Sequence, residues 1–142
     1  IIKNYKKKEN NLIPILLNSL KNNSELVVFG DDYNTPDKTC IRDYIHVADL
    51  AQAHLLALDA LMQGAPSAFY NLGNGKGYSV LEVIQTAEKV LKRPISYQIG
   101  PRRPGDPAVL TADSRKAIQA LNWKPRFPEL EKIILDASKA LP

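Results

Sequence analysis

The sequence predicts a small mixed α/β lobe, an α+β arrangement rather than a complete doubly wound sheet. Three observations carry that prediction. The 142 residues are about one domain's worth of chain. Helix-period and strand-like segments alternate along it. The strand candidates number three or four and are short, too few for a full dinucleotide-binding sheet. Composition fits a packed chain, with 44% hydrophobic and 24% charged residues.

Asn11 to about Asn22 reads as a helix, with Leu12, Ile15, Leu16 and Leu20 on one face. Pro14 suits its first turn, where a missing N–H breaks no helical bond. Leu26-Val27-Val28-Phe29, closed by Gly30, reads as a buried strand. Asp31 to Lys38 is rich in turn formers, and Thr39 to Val47 is extended and mixed in polarity. Asp49 to Met62 is the second helix, striped by Leu50, Ala53, Ala57, Leu58 and Leu61 and stopped at Gly64. Phe69-Tyr70-Asn71-Leu72 reads as a strand. Ser79-Val80-Leu81-Glu82 is a capping box, whose hydroxyl and carboxylate satisfy open N–H groups at a helix start. Val80, Val83, Ile84, Ala87, Val90 and Leu91 continue that helix until Pro94 ends it. Ile95 to Ile99 is a further strand candidate, and Ser114 to Leu121 a short helix. Leu130, Ile133, Ile134, Ala137 and Leu141 stripe a fifth helix entered through Pro128.

Several function classes are disfavoured at once. No apolar run approaches the roughly 20 residues of a bilayer span; Leu55-Leu56-Ala57-Leu58 is broken by Asp59. With Cys40 alone, neither a disulfide scaffold nor a multi-cysteine metal cluster can form, which fits a reducing, cytoplasmic setting. Ile1-Ile2-Lys3-Asn4-Tyr5 does not read as a signal peptide. Without such a signal the acceptor pattern Asn22-Asn23-Ser24 carries no weight. The chain starts without methionine and reads as a piece of something longer. His46 and His54 lie on different elements and lack cysteine or HExxH partners, so a zinc site is not expected. His46 stands in the most polar extended segment and is kept only as a support to a site; His54 is placed on a helix side.

Net charge is +4, with Lys3, Lys6, Lys7 and Lys8 crowded at the start. Residues 92 to 126 hold eight Lys and Arg against Asp106 and Asp113 alone. Such a stretch suits an anionic partner. Nucleic acid is disfavoured, because Arg102-Arg103-Pro104-Gly105 has no aromatic residue interleaved for base stacking. Gly73-Asn74-Gly75-Lys76-Gly77 is not a dinucleotide fingerprint: its glycines alternate, and no carboxylate stands near residues 92 to 94. It reads as a tight turn. Arg42-Asp43-Tyr44-Ile45-His46 and Arg102-Arg103-Pro104-Gly105-Asp106 are different. A guanidinium offers paired donors that match phosphate oxygens at any physiological pH. Two arginines from separate segments can clamp a diphosphate, and a neighbouring carboxylate can accept from a sugar hydroxyl. The competing reading is a pair of exposed loop salt bridges, worth little.

Asn11-Leu12-Ile13-Pro14, Val28-Phe29-Gly30, Thr39 to Val47 with its Arg42-Asp43-Tyr44-Ile45-His46 core, Tyr70-Asn71-Leu72-Gly73 and Pro101 to Asp106 occur in this order. Together they resemble the carboxyl-terminal portion of the UDP-glucose 4-epimerases, within the extended short-chain dehydrogenase/reductase family. The match runs from about Asn10 to the end, and the Rossmann half is mostly absent. The resemblance implies that residues 1–142 are a carboxyl-terminal UDP-sugar-binding domain. It implies an isomerase of galactose metabolism that interconverts UDP-glucose and UDP-galactose by passing a hydride between sugar carbon 4 and NAD. It also implies a homodimeric parent, an amino-terminal NAD-binding half as partner, and no membrane or nucleic-acid partner.

Carried over position by position, Asn11 and Leu12 match contacts to the UDP portion. Val27, Val28 and Phe29 match a strand lining the uracil pocket. Arg42 and Arg103 match the diphosphate clamp, Asp106 a ribose-binding carboxylate, and Leu110 a position that controls room for an N-acetyl group. No catalytic, cofactor-binding or metal residue is assigned. The family base lies in a Tyr-x-x-x-Lys motif, and the position four after Tyr5 holds Glu9. The chain alone is therefore expected to be inactive and not to bind NAD. Alternatives are another UDP-sugar epimerase or dehydratase of the same family, and a non-catalytic basic binding module. Trp123 and Phe127 are expected in the core or at a lobe interface.

Overall fold

A computed structural model describes residues 11–140 of the chain. The readings at Lys3 to Glu9 and at Leu141 lie outside that range.

Five helices and five short strands follow in the order α1 (Leu12–Asn22), β1 (Leu26–Phe29), β2 (Ile41–Asp43), α2 (Val47–Met62), β3 (Gly77–Ser79), α3 (Val80–Leu91), β4 (Tyr97–Gly100), β5 (Val109–Leu110), α4 (Arg115–Leu121) and α5 (Leu130–Ala140). Strands β1 and β4 pair in parallel, with Leu26 opposite Tyr97 and Phe29 opposite Gly100. A second sheet has the order β3-β2-β5. There β2 runs antiparallel to β3 and parallel to β5, and Arg42 lies between Tyr78 and Leu110.

The main core gathers α1, β1, α3 and α5 around Leu16, Val28, Val83, Ile84, Leu130 and Ile134. A smaller cluster joins α2 and α4 through Ala53, Ala117, Leu121 and Trp123. Asp49 fastens this second cluster. Its carboxylate is almost wholly buried and accepts from the N–H groups of Arg126 and Phe127, at 2.8 and 3.0 Å. Its main-chain oxygen accepts from the Trp123 indole at 3.0 Å. A buried carboxylate persists in such surroundings because its charge is met by fixed donors.

Local signals explain the helices. At Ser79 both arms of the capping box form, the hydroxyl accepting from Glu82 N–H and the Glu82 carboxylate from Ser79 N–H. Helix α2 starts two residues earlier than its apolar stripe implied. His46 is its cap, with Nδ1 accepting from Ala48 N–H at 3.0 Å. The stripe itself is only half used, since Ala53 is buried whereas Leu58 and Leu61 are more than half exposed.

The strands depart further from expectation. Residues 69–72 form no strand, and Phe69 is 94% exposed. A strand needs a ladder partner, and no described strand pairs with this segment. Conversely, β3 and β5 were not anticipated. They are two or three residues long and exist through their pairing with β2. The segment read as extended from Thr39 to Val47 enters a ladder only at Ile41–Asp43.

Candidate functional site

The site is built around β2. Successive strand residues point to opposite faces, so Arg42 and Asp43 act in different places. The Asp43 carboxylate accepts from the N–H groups of Asn74, Gly75 and Ala112 at 3.0–3.1 Å. It thereby ties the glycine turn and the end of β5 to the middle strand. A methyl group on Gly73 would collide with that carboxylate, which explains the glycine there. Gly73 N–H goes to Ser114 Oγ at 2.9 Å. The donors of Gly73, Asn74 and Gly75 are thus engaged within the chain, and the turn does not fit a dinucleotide pyrophosphate, whose cradle requires such donors to face the ligand.

On the other side, Arg42 Nη2 donates to the Asp106 carboxylate, 64 positions further along the chain. Both side chains are 21% exposed. Arg42 Nη1 also donates to Ile41 O at 2.6 Å. The second carboxylate oxygen of Asp106 faces Arg103 Nε at 3.9 Å. Arg103 in turn lies over the Phe29 ring, 4.4 Å from its centroid, a distance at which a cation is attracted to the ring face. Phe29, Arg42, Arg103 and Asp106 therefore form one connected group drawn from three segments. It offers two guanidiniums, one carboxylate and one aromatic face.

The other sequence-derived residues fall as follows. Val27 and Phe29 turn to the open side of the β1–β4 pair, whereas the Val28 side chain is buried in the main core. Val28 can thus offer a ligand only main-chain atoms. Leu110 is 59% exposed and stands opposite Arg42 in the ladder. Asn11 precedes α1, and its side chain makes no capping bond. Leu12 is half-buried against the main core. The ion pairs and ring contacts that unite the Arg42 group do not extend to these two.

The structure also separates two adjacent arginines. Arg102 donates through Nε to the Asp32 carboxylate and through Nη2 to Asp32 O, and stacks 4.0 Å above the Tyr33 ring. It braces the 101–106 loop against the loop after β1. Gly30, at φ +84°, makes this possible: any side chain there would be strained and would strike Arg102 and the Tyr33 ring. Asp32 and Tyr33 were not picked out from sequence, and Asp43, noted there as the carboxylate beside Arg42, is engaged by backbone N–H groups instead. The turn-forming string Asp31-Asp32-Tyr33 beside the apolar strand was the available signal for the first two.

Burial shifts three ionisable groups near the site. Burial, and then the Asp106 charge, pushes the Tyr33 phenol up. Burial raises the Tyr44 phenol strongly and the Cys40 thiol more modestly. A thiol raised by burial is unreactive. His54 is exposed, with Nδ1 2.8 Å from Leu50 O on its own helix. His46 is buried as a helix cap, 3.3 Å from the Asp136 carboxylate. Trp123 is fully buried, and Phe127 packs 4.8 Å from His46.

With this geometry in hand, the chain can be set beside known proteins. The NAD dependent epimerase/dehydratase family matches residues 3–73. The UDP-glucose 4-epimerase of Halalkalibacterium halodurans is 51% identical over 127 residues, which are 89% of this chain and 38% of that enzyme. A crystal structure of a UDP-glucose 4-epimerase superposes with a TM-score of 0.85 at 50% identity, over 92% of this chain and 40% of the other. That of the Bifidobacterium longum enzyme, in complex with NAD+ and UDP, superposes with a TM-score of 0.81 at 45% identity, over 91% and 38%. The chain therefore spans about two fifths of the length of the relatives it matches.

Proposed function

The chain belongs to the NAD dependent epimerase/dehydratase family, and from that premise we propose that residues 1–142 form the carboxyl-terminal, UDP-sugar-binding domain of a UDP-glucose 4-epimerase. The observation that carries the reading is the convergence of Arg42 and Arg103 on one carboxylate beside the open face of Phe29. Two guanidiniums suit a diphosphate. The apolar face of Val27 and Phe29 suits a flat pyrimidine, Asp106 the ribose hydroxyls, and Leu110 the sugar side of the diphosphate. Asn11 and Leu12 complete the UDP contacts from the start of α1. The Bifidobacterium longum relative, solved with NAD+ and UDP, supports the same assignment.

The reaction so assigned interconverts UDP-glucose and UDP-galactose, with a hydride passing between sugar carbon 4 and NAD. The Gly73–Gly77 turn, whose donors are engaged within the chain, does not suit that cofactor's pyrophosphate, and this chain's share is to bind and orient the nucleotide sugar. The NAD-binding half is then a partner. Helix α2 presents Val47, Leu55, Leu58 and Met62 to solvent, beside the unpaired segment 69–72. An apolar helix face next to a segment of strand-like composition without a partner suits an α/β layer contributed by that half. The reading carries with it a cytoplasmic setting and a homodimeric enzyme. Among the described residues, no helix is long and apolar enough to cross a membrane.

Calorimetric titration of the chain with UDP tests the proposal. Saturable binding is expected, weakened in Arg103→Ala by about 1.5–3 kcal/mol, the range for a lost hydrogen bond to a charged group. A correctly folded chain that ignores UDP, or a variant that binds it equally well, would overturn the assignment.

A further inference from the structure

We infer that His46 is a proton-operated clasp: its neutral imidazole pins the first turn of α2 to α5, and a proton on Nδ1 releases that turn. The clasp lies in the helix joint and does not depend on the proposed nucleotide sugar.

The imidazole uses both ring nitrogens. Nδ1 accepts from Ala48 N–H at 3.0 Å, so that nitrogen carries no proton. Nε2 lies 3.3 Å from the Asp136 carboxylate. Lys132, 2.8 Å from that carboxylate, holds it below its ordinary value, so Asp136 is ionised and can only accept. The ring's one proton therefore sits on Nε2. Two fixed partners select a single tautomer, in a ring that is 7% exposed and packed 4.8 Å from Phe127.

Histidine is an unusual helix cap. Serine, threonine, asparagine and aspartate side chains still accept near neutral pH, whereas imidazoles as a class take up a proton between about pH 5 and pH 8. A proton on Nδ1 turns the acceptor into a donor aimed at Ala48 N–H. The cap is lost, and a positive charge is left at the positive pole of the helix.

The surrounding charges decide whether Asp136 can offset that loss. From α5, Asp136 is already shared between Lys132 and Lys139, the latter at 3.4 Å. Beyond the Phe127 ring, Arg126 and Lys132 stand 5.5 and 5.6 Å from its centroid. Within α2, Asp49 is taken up by the main-chain N–H groups of Arg126 and Phe127, and His54 turns to Leu50 O. Among the described residues, Lys132, Lys139 and Arg126 thus oppose Asp136 and Asp49, whose donors are already in place. An imidazolium gains little there and forfeits the cap. The first turn is released, and with it the bond from Leu50 N–H to His46 O, 3.0 Å long.

NMR of the full chain, from about pH 8 to about pH 5, tests the clasp through the imidazole nitrogens and the backbone amides. At the upper end the His46 ring should carry a proton on Nε2 and none on Nδ1. Towards the lower end the protection factors of Ala48 and Leu50, corrected for the intrinsic pH dependence of exchange, should fall about five- to tenfold, the scale of a lost cap. In His46→Asn, which keeps a capping oxygen that does not titrate, they should stay level although His54 is still present. Helix α3, capped by the Ser79 hydroxyl, is the internal reference and should not respond. A proton on Nδ1 at the upper end overturns the clasp. So does wild-type protection that stays level, or that falls equally in His46→Asn or in α3. The ring nitrogens and the comparison of α2 with α3 are read on the wild type, and they decide the matter even if His46→Asn fails to fold.

Discussion

Neighbouring positions in this chain do unlike work. Arg102 and Arg103 are chemically identical, yet one is locked to Asp32 and Tyr33 and the other lies open over Phe29. The sequence pointed to Arg42, Arg103 and Asp106 as a diphosphate clamp, and the fold brings these three side chains together. Which arginine braces the loop was not legible, since it is decided by Asp32 and Tyr33, seventy positions away for Asp32. Asp37 is a second residue whose role emerges only in three dimensions. Burial pushes its carboxyl up, but hydrogen bonds from the Ser79 hydroxyl and from Thr39 N–H and Oγ1 outweigh that and hold it below its ordinary value of 3.8. A depressed folded value means stability that is fully present above the unfolded value and lost as pH falls through the folded one. Urea midpoints of the wild type and Asp37→Asn, followed from about pH 6 down to about pH 3, should differ most at the upper end. The gap should close below 3.8 as the wild-type carboxylate takes up its proton.

At the level of elements, two helices with strong local signatures were read correctly. Helices α1 and α3 announce themselves through apolar spacing and, for α3, through a capping box that needs only four consecutive residues. Strands β3 and β5 do not, because their few residues become strands only by lying against β2. Residues 69–72 show the converse: strand composition is present and the partner is not among the described residues. Helix α2 begins at Val47 rather than Asp49 because the cap is a histidine, a residue outside the usual Ser, Thr, Asp and Asn set. Asp49, one turn in, then meets the 123–127 segment, and Trp123 fills the space between α2 and α4. Trp123→Ala should cost about 3–5 kcal/mol of unfolding free energy, as removal of a fully buried large aromatic side chain does, measured by chemical denaturation. A cost below about 1 kcal/mol, the level of an ordinary surface change, would show that the smaller cluster contributes little to holding these helices together.

For the molecule as a whole, the notable fact is that its apolar interior is divided. Among the described residues, one cluster has eleven buried residues spread over α1, β1, α3 and α5 and a twelfth, Ile95, from the segment before β4; the other has four, Ala53, Ala117, Leu121 and Trp123. Sequence patterning foretold apolar faces on four of the five helices but not how they would be shared, because sharing depends on which faces meet. The division sets a hierarchy of opening under native conditions. Protection against exchange follows the buried contacts that must be broken before an amide meets solvent. Amides of α2 and α4 should trade hydrogen for deuterium through a partial opening, well before those of α1, α3 and α5, which are released only when the entire chain unfolds. Mass spectrometry of deuterium uptake would resolve the two groups; uniform uptake across all five helices would mean that the chain opens as a single unit. On that expectation the lobe keeps a firmer interior beneath β1 and a looser margin on the side where α2 lies bare.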